Sequence, residues 1–388
     1  MGSLSYMTNE QKQLIAIIRC AFGNKEISQA LPPLSDEEKK KISIYAGRQG
    51  MFPFLQYGPG FLEGEWKSLI FKQLAHACYA DSVQIAEVKD ILDEFEKRGI
   101  YCIPLKGIRT KTMYPASELR TMGDLDILYK PEQTKEMKMT MESMGYRCDG
   151  EAAKHDHYQK GSIIVEMHKT LLSAQSDAFQ YFLGIWERAV PVNGKQFVYE
   201  MTLEDHYLFT LYHLIEHFVR GGIGIRMVLD IFVISRQPKL DWEYVDHELK
   251  KLEIDTFERN IRCLANLWFG EKDETIEKNE LEELAEYIVN GGVFGNREND
   301  RQNNMLMHKS KAAYLRSVVF PSYQTMRTVF PWLKTPFLLP VAWAVRAKNV
   351  WTKRRGNVKM QMERAKAWEK KDDRESEMRK RFFERYGL

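Results

Sequence analysis

The sequence is short of cysteine and shows no pairing pattern. Five occur in 388 residues, at Cys20, Cys78, Cys102, Cys148 and Cys263, and none forms a Cys-x-x-Cys pair. A scattered, odd set argues against a disulfide framework or a zinc site and for reduced thiols in a cytoplasmic protein. No run of about 18 apolar residues is present, so no transmembrane helix is expected. Met1-Gly2-Ser3-Leu4-Ser5 lacks the charged-then-apolar order of a signal peptide, and Tyr6 breaks the myristoylation pattern. A net charge of +3 gives no general signal for nucleic acid. No internal repeat stands out. What is left, 44% hydrophobic and 29% charged, describes an ordinary soluble protein with length for two or three domains.

The first hundred residues read as helices. Thr8-Asn9-Glu10-Gln11 is a capping box ahead of Leu14, Ile15, Ile17, Ile18 and Phe22. Ser35-Asp36-Glu37-Glu38 opens a second helix after Pro32-Pro33. Residues 64–98 predict one long helix with a stripe of Leu69, Ile70, Leu74, Ala77, Val83, Ile85, Val88, Ile91, Leu92 and Phe95, stopped at Gly99.

The most informative stretch is 100–168. Tyr101, Ile103 and Leu105 alternate with Cys102 and Pro104 as in a strand, which ends at Lys106-Gly107. Glycine there allows a tight turn, and a helix opening at Ile108 would aim backbone N–H groups at a phosphate, with Lys106 as a cation on the same lip. Asp124 and Asp126 flank Leu125 in an apolar run, and side chains two apart on a strand share a face. Two carboxylates so close call for a cation between them, and oxygen ligands suit Mg²⁺ or Mn²⁺. Glu166 ends the apolar strand Ile163-Ile164-Val165, and His168 shares its face. A third carboxylate completes what two-metal phosphoryl transfer needs. The competing readings are an ordinary strand-to-helix turn at Lys106-Gly107, a surface Asp-x-Asp pair, and a His168 that supports the ligands without being one. Arg120, just before the acidic strand, reads equally as a surface residue or as a phosphate contact.

Leu105-Lys106-Gly107, Arg120-x3-Asp124-Leu125-Asp126-Ile127-Leu128 and Val165-Glu166-Met167-His168 together resemble a bacterial family of uncharacterised nucleotidyltransferases. That family lies in the polymerase-β-like superfamily, which also holds kanamycin nucleotidyltransferase. Lys106 stands where the superfamily signature has its first glycine. The resemblance covers about residues 95–235. It implies an α+β fold, a small mixed β-sheet nucleotidyltransferase core flanked by N- and C-terminal helical regions.

Beyond the three motifs, Lys130-Pro131 starts a helix in which Met137, Met139, Met141 and Met144 read as core filler. Residues 155–159 and 162–168 read as a hairpin turned at Lys160-Gly161, and His155 and His157 as part of a polar sheet face. A helix is expected over 178–188, then a hairpin at Asn193-Gly194. The helix opened by Thr202 carries His213 and His217 on one face, and the next carries Arg226 and Asp230, also four apart. A half-buried polar face and an intrahelical ion pair are the plain readings. The resemblance implies that His217, Arg226 and Asp230 line the cleft as a lid over the nucleotide. Residues 329–355 combine Phe330, Trp332, Phe337 and Trp343 with Arg346, Lys348, Lys353, Arg354 and Arg355. Packing back on the helical domain is the plainer reading, and a surface for a membrane or partner is the alternative. Residues 357–385 read as a charged, solvated helix.

Four segments are therefore expected: 1–98 helical, 99–200 the nucleotidyltransferase core, 201–320 a helical domain completing the cleft, and 321–388 an aromatic and basic tail followed by a charged helix. The expected activity moves AMP from ATP to a hydroxyl of a small molecule or sugar. Asp124, Asp126 and Glu166 are the catalytic and metal residues, and Lys106, Gly107, Arg120, His217, Arg226 and Asp230 contact the nucleotide. A protein, peptide or RNA acceptor is the alternative, as is a nucleotide-binding module without turnover. No aromatic-basic stripe of the kind that binds RNA is evident in the core.

Overall fold

Strand alternation decides which face of the central sheet is greasy and which carries chemistry. The computed structural model describes residues 7–23, 31–151, 154–173, 176–270, 281–293, 311–323, 326–327, 332–353 and 373–388, with single positions at 295, 299, 303 and 330. Two capped helices come first, α1 (Asn9–Ala21) and α2 (Asp36–Arg48). At their starts the Thr8 N–H donates to the Gln11 side chain at 2.9 Å, and the Ser35 N–H to Glu38 at 2.9 Å. The long helix α3 (Gly64–Arg98) ends at Gly99, whose φ of 70° is open to glycine and costly for other residues.

A five-stranded mixed sheet follows, which makes the fold α+β as expected. Its strands are β1 (Cys102–Pro104), β2 (Leu125–Tyr129), β3 (Arg147–Glu151), β4 (His155–Lys160) and β5 (Ile163–His168), in the order β1-β2-β5-β4-β3. Only β2 and β5 run parallel. Leu125, Ile127, Tyr129, Val165 and Met167 point to one face and pack with Val88, Ile91 and Phe95 of α3 and Met137 and Met141 of the helix Thr134–Ser143. Asp126, Leu128, Glu166 and His168 alternate with them and face the other way.

That second face is closed by helices α4 (Lys106–Thr110), α5 (Leu203–Arg220) and α6 (Ile225–Ser235). The C-terminal helices Trp242–Lys251, Asp255–Phe269 and Glu282–Val289 extend the same core, which also holds Leu14, Ile17 and Phe54 from the N-terminal part. Segments 1–98 and 201–320, far apart in sequence, thus share one apolar interior.

Several expectations need correcting. On α3, Leu69 and Ile85 are exposed at 41% and 43%, because they lie on the flanks of the buried stripe that runs through Ile70, Val88, Ile91 and Phe95. Met139 is exposed too, while Met137 and Met141 are buried. The helix expected over 178–188 breaks at Gly184 into Phe179–Leu183 and Ile185–Arg188. Of the charged segment 357–385, residues 357–372 lie outside the described residues. The helix Asp373–Arg385 does not simply float: Phe382 and Phe383 pack on Phe218 and Tyr287, and Tyr386 is buried. In the tail, Met326, Leu333 and Ala342 form a small cluster of their own with Trp343, apart from the main core; positions 329, 331, 354 and 355 lie outside the described residues.

Candidate active site

Parallel pairing sets Asp126 directly beside Glu166 and Leu128 beside His168. Asp124 lies two residues before Asp126, at the mouth of β2. The three acidic side chains offer oxygens within 4.8 Å of one another, a grouping that could hold a metal ion. Lys106, the first residue of α4, places Nζ 3.3 Å from Asp126 Oδ2. His168 Nε2 lies 2.9 Å from Asp126 Oδ1 and 3.3 Å from Glu166 Oε2.

The charges are unevenly compensated. Burial lifts the Asp124 carboxyl above its usual range, and repulsion from Asp126 and Glu166 adds to it. Burial also penalises an ionised Asp126, but Lys106 and the His168 hydrogen bond outweigh it and hold that carboxyl well below the ordinary range. Glu166 is held down in the same way, against burial, by His168 and His155. For His168, the bonds to Asp126 and Glu166 overcome burial and raise its pKa. Among the described residues Asp124 has no ion-pair partner, so the site has more negative charge than its own cations neutralise. That imbalance, together with an all-oxygen set from two Asp and one Glu, fits a hard divalent cation.

His155 belongs to this cluster, contrary to the reading of a plain polar face. The β4–β5 register places it opposite His168, its Nε2 is 3.4 Å from Glu166 Oε1, and the two imidazole centroids are 4.9 Å apart. Glu166, His155 and His168 form a second grouping with metal-ligating atoms in reach of one another. Sequence held the signal: from the hairpin's closing pair, Lys160 and Ile163, five steps back along one strand and five along the other bring His155 against His168.

Arg120, Arg226 and Asp230 depart from their expected roles. Arg120 is buried; its Nε and Nη2 donate to the two Asp230 oxygens, each at 2.8 Å, and Nη1 donates to the Gly107 carbonyl at 3.3 Å. Tyr114 donates to the same Asp230 at 2.7 Å. Asp230 thus bonds across the fold to Arg120, in place of the expected intrahelical pair with Arg226, whose Nη1 donates to the Thr121 carbonyl at 3.0 Å. Gly107 sits inside the five-residue α4 and its φ is not positive, so the turn does not demand glycine. Close packing does, since a Cβ there would lie 2.6 Å from Met122 Sδ and 3.2 Å from Arg120 Nη1.

His213 and His217 stack edge-on, centroids 4.5 Å apart, on the α5 face toward Lys106. Burial, then Lys106, keeps both neutral: His213 falls well below its usual pKa and His217 drops to about 4. Among the described residues neither joins a group of three metal-ligating side chains.

The sequence profile of a family described as uncharacterised nucleotidyltransferase matches residues 55–270, more than half the chain. The chain belongs to that family. The matched span contains the whole sheet, α3 to α6, and every site residue named above, so this nucleotidyltransferase carries its candidate site wholly within the family region. A solved structure is also similar, the solution structure of the antibiotic-resistance factor ANT(2'')-Ia. The match covers 47% of this nucleotidyltransferase and 91% of that chain, at 13% identity and a TM-score of 0.34. No curated protein matches the chain.

Proposed function

We propose that the protein transfers a nucleoside monophosphate, AMP from ATP in the first instance, to a hydroxyl of a small molecule or sugar and releases pyrophosphate. The observation that carries this reading is the side-by-side register of Asp126 and Glu166, with Asp124 beside them.

These three carboxylates would hold Mg²⁺ or Mn²⁺, which would neutralise the triphosphate and lower the barrier to in-line attack. Lys106, 3.3 Å from Asp126, then turns to the triphosphate. The acceptor oxygen bonds to the α-phosphorus, the α–β phosphoanhydride bond breaks, and pyrophosphate leaves. Glu166, kept ionised by His168 and His155, takes the hydroxyl proton. His217, beside Lys106, lines the nucleotide side of the cleft, and Arg226 holds the Thr121 carbonyl behind it. Arg120 and Asp230, already engaged with each other and with Gly107, hold the phosphate loop from behind and leave the triphosphate to Lys106.

A small acceptor is favoured by a cavity of about 700 Å³ lined by Tyr101, Leu128, Lys130, Lys169, Phe182 and Trp186. Leu128 is on the same strand face as Asp126, one step further along, and this volume suits a small molecule. The test is transfer of label from ATP, GTP, CTP and UTP labelled at the α-phosphate, with Mg²⁺ or Mn²⁺ and a cell lysate as acceptor source. Label moving with wild type and not with Asp124→Asn/Asp126→Asn supports the reading, and the labelled species names the acceptor class. Nucleotide binding without label transfer to any species would replace it by a binding module.

A further inference from the structure

We infer that the segment 332–348 presents a docking surface for an anionic lipid membrane. Charge is the first observation. The chain has 57 Lys and Arg against 54 Asp and Glu, yet between residues 301 and 362 there are twelve bases and no acid, so the remainder is net acidic. A segment so sorted attracts an anionic plane over many angstroms.

Shape is the second. The helix Leu339–Lys353 follows a single turn at Pro336–Leu338. Phe337, Val341 and Val345, spaced four apart, point outward, with Phe337 93% exposed and Val341 53% exposed; Leu338 and Trp332 stand exposed beside them. The opposite face is anchored: Ala342 is buried and Trp343 Nε1 donates to the Pro321 carbonyl at 3.0 Å. The apolar outer stripe is therefore not needed to hold the segment's own fold. Lys334 and Lys348 flank it, and Arg316 and Arg327 lie exposed on the neighbouring segments. No described helix is long and apolar enough to cross a membrane, so this one would lie along the surface. Outward apolar side chains, Phe337 and Trp332 among them, with cations around them match a lipid interface. Single-stranded RNA would instead need rings spaced along a basic groove that tracks its backbone.

Sedimentation of the full-length protein with phosphatidylcholine vesicles, with or without phosphatidylserine, tests this. Binding to the anionic vesicles is expected to exceed binding to the neutral ones by about tenfold and to fall as salt rises. Phe337→Ser/Val341→Ser should weaken it about tenfold with an unchanged unfolding temperature, as both side chains face solvent. Lys334→Gln/Lys348→Gln should reduce the preference for phosphatidylserine while leaving the apolar stripe in place. Equal sedimentation with both vesicle types, an apolar variant that binds as wild type does, or gel retardation of a single-stranded RNA without vesicle binding would each overturn the assignment.

Discussion

Arg120 and Asp230, 110 residues apart in sequence, meet as a two-pronged ion pair with both bonds at 2.8 Å. The pair fastens the loop entering β2 to α6. Replacing Arg120 by Met should leave Asp230 buried without its cation and cost about 3–5 kcal/mol. Arg120→Met/Asp230→Leu should recover most of that, because no unpaired charge remains. Denaturant unfolding of the two variants measures it. A single variant that stays stable yet fails to bind nucleotide would instead make Arg120 a direct phosphate contact.

Asp124→Asn and Asp126→Asn should each reduce transfer by about two to three orders of magnitude, the scale of losing one placed electrostatic group at the reacting centre. Wild type should also gain thermal stability on addition of Mg²⁺ or Mn²⁺, since an ion that binds the folded state alone stabilises it. The Asn variants should lose that gain. A melting temperature that rises equally in all three proteins would place the ion elsewhere.

Stability should fall as pH drops from about 6.5 toward 4. His217 is depressed to about 4 and His213 well below its usual value, while in the unfolded chain each titrates near 6.5. Below that pH the unfolded state binds protons that the folded state refuses, at about 1.4 kcal/mol per pH unit and per histidine. Their contribution is thus present above the unfolded pKa and lost on the acid side. His217→Gln should flatten this slope in urea unfolding followed from pH 7 to about pH 4.5. An unchanged slope would remove His217 from the account.

Gly107→Ala should cost about 1–3 kcal/mol, the usual penalty for forcing a methyl into a packed site. The new Cβ would meet Met122 and Arg120, and Arg120 is pinned by Asp230. Adding Met122→Ala should relieve part of the loss. If the double variant is no more stable than Gly107→Ala alone, backbone conformation and not crowding is the cause.

Much of the sheet could be read from spacing alone. Asp124-x-Asp126 and Glu166-x-His168 kept their side chains together because a strand repeats every two residues. His155 could have been found by the same counting across its turn. The Arg120–Asp230 bond could not, since nothing local separates it from the i,i+4 pairing offered by Arg226. The buried end of the C-terminal helix was hidden for a related reason: Phe382, Phe383 and Tyr386 are three aromatics among many charges, and only the partner surface at Phe218 shows where they go. Leu69 and Ile85 sit at the edges of the α3 stripe, where helical spacing alone does not say how far the covering core extends.

The parallel pairing of β2 and β5 carries a consequence for assembly. Its two carboxylates come from opposite ends of a connection that includes a helix and two further strands, so no local segment can bring Asp126 and Glu166 together. Such a non-local pair forms late and slowly. Until the β4–β5 hairpin docks, the three carboxylates proposed to hold a divalent ion are not assembled. Metal uptake should therefore lag behind helix formation during refolding, and the bound ion would act as a clock for the last step of folding.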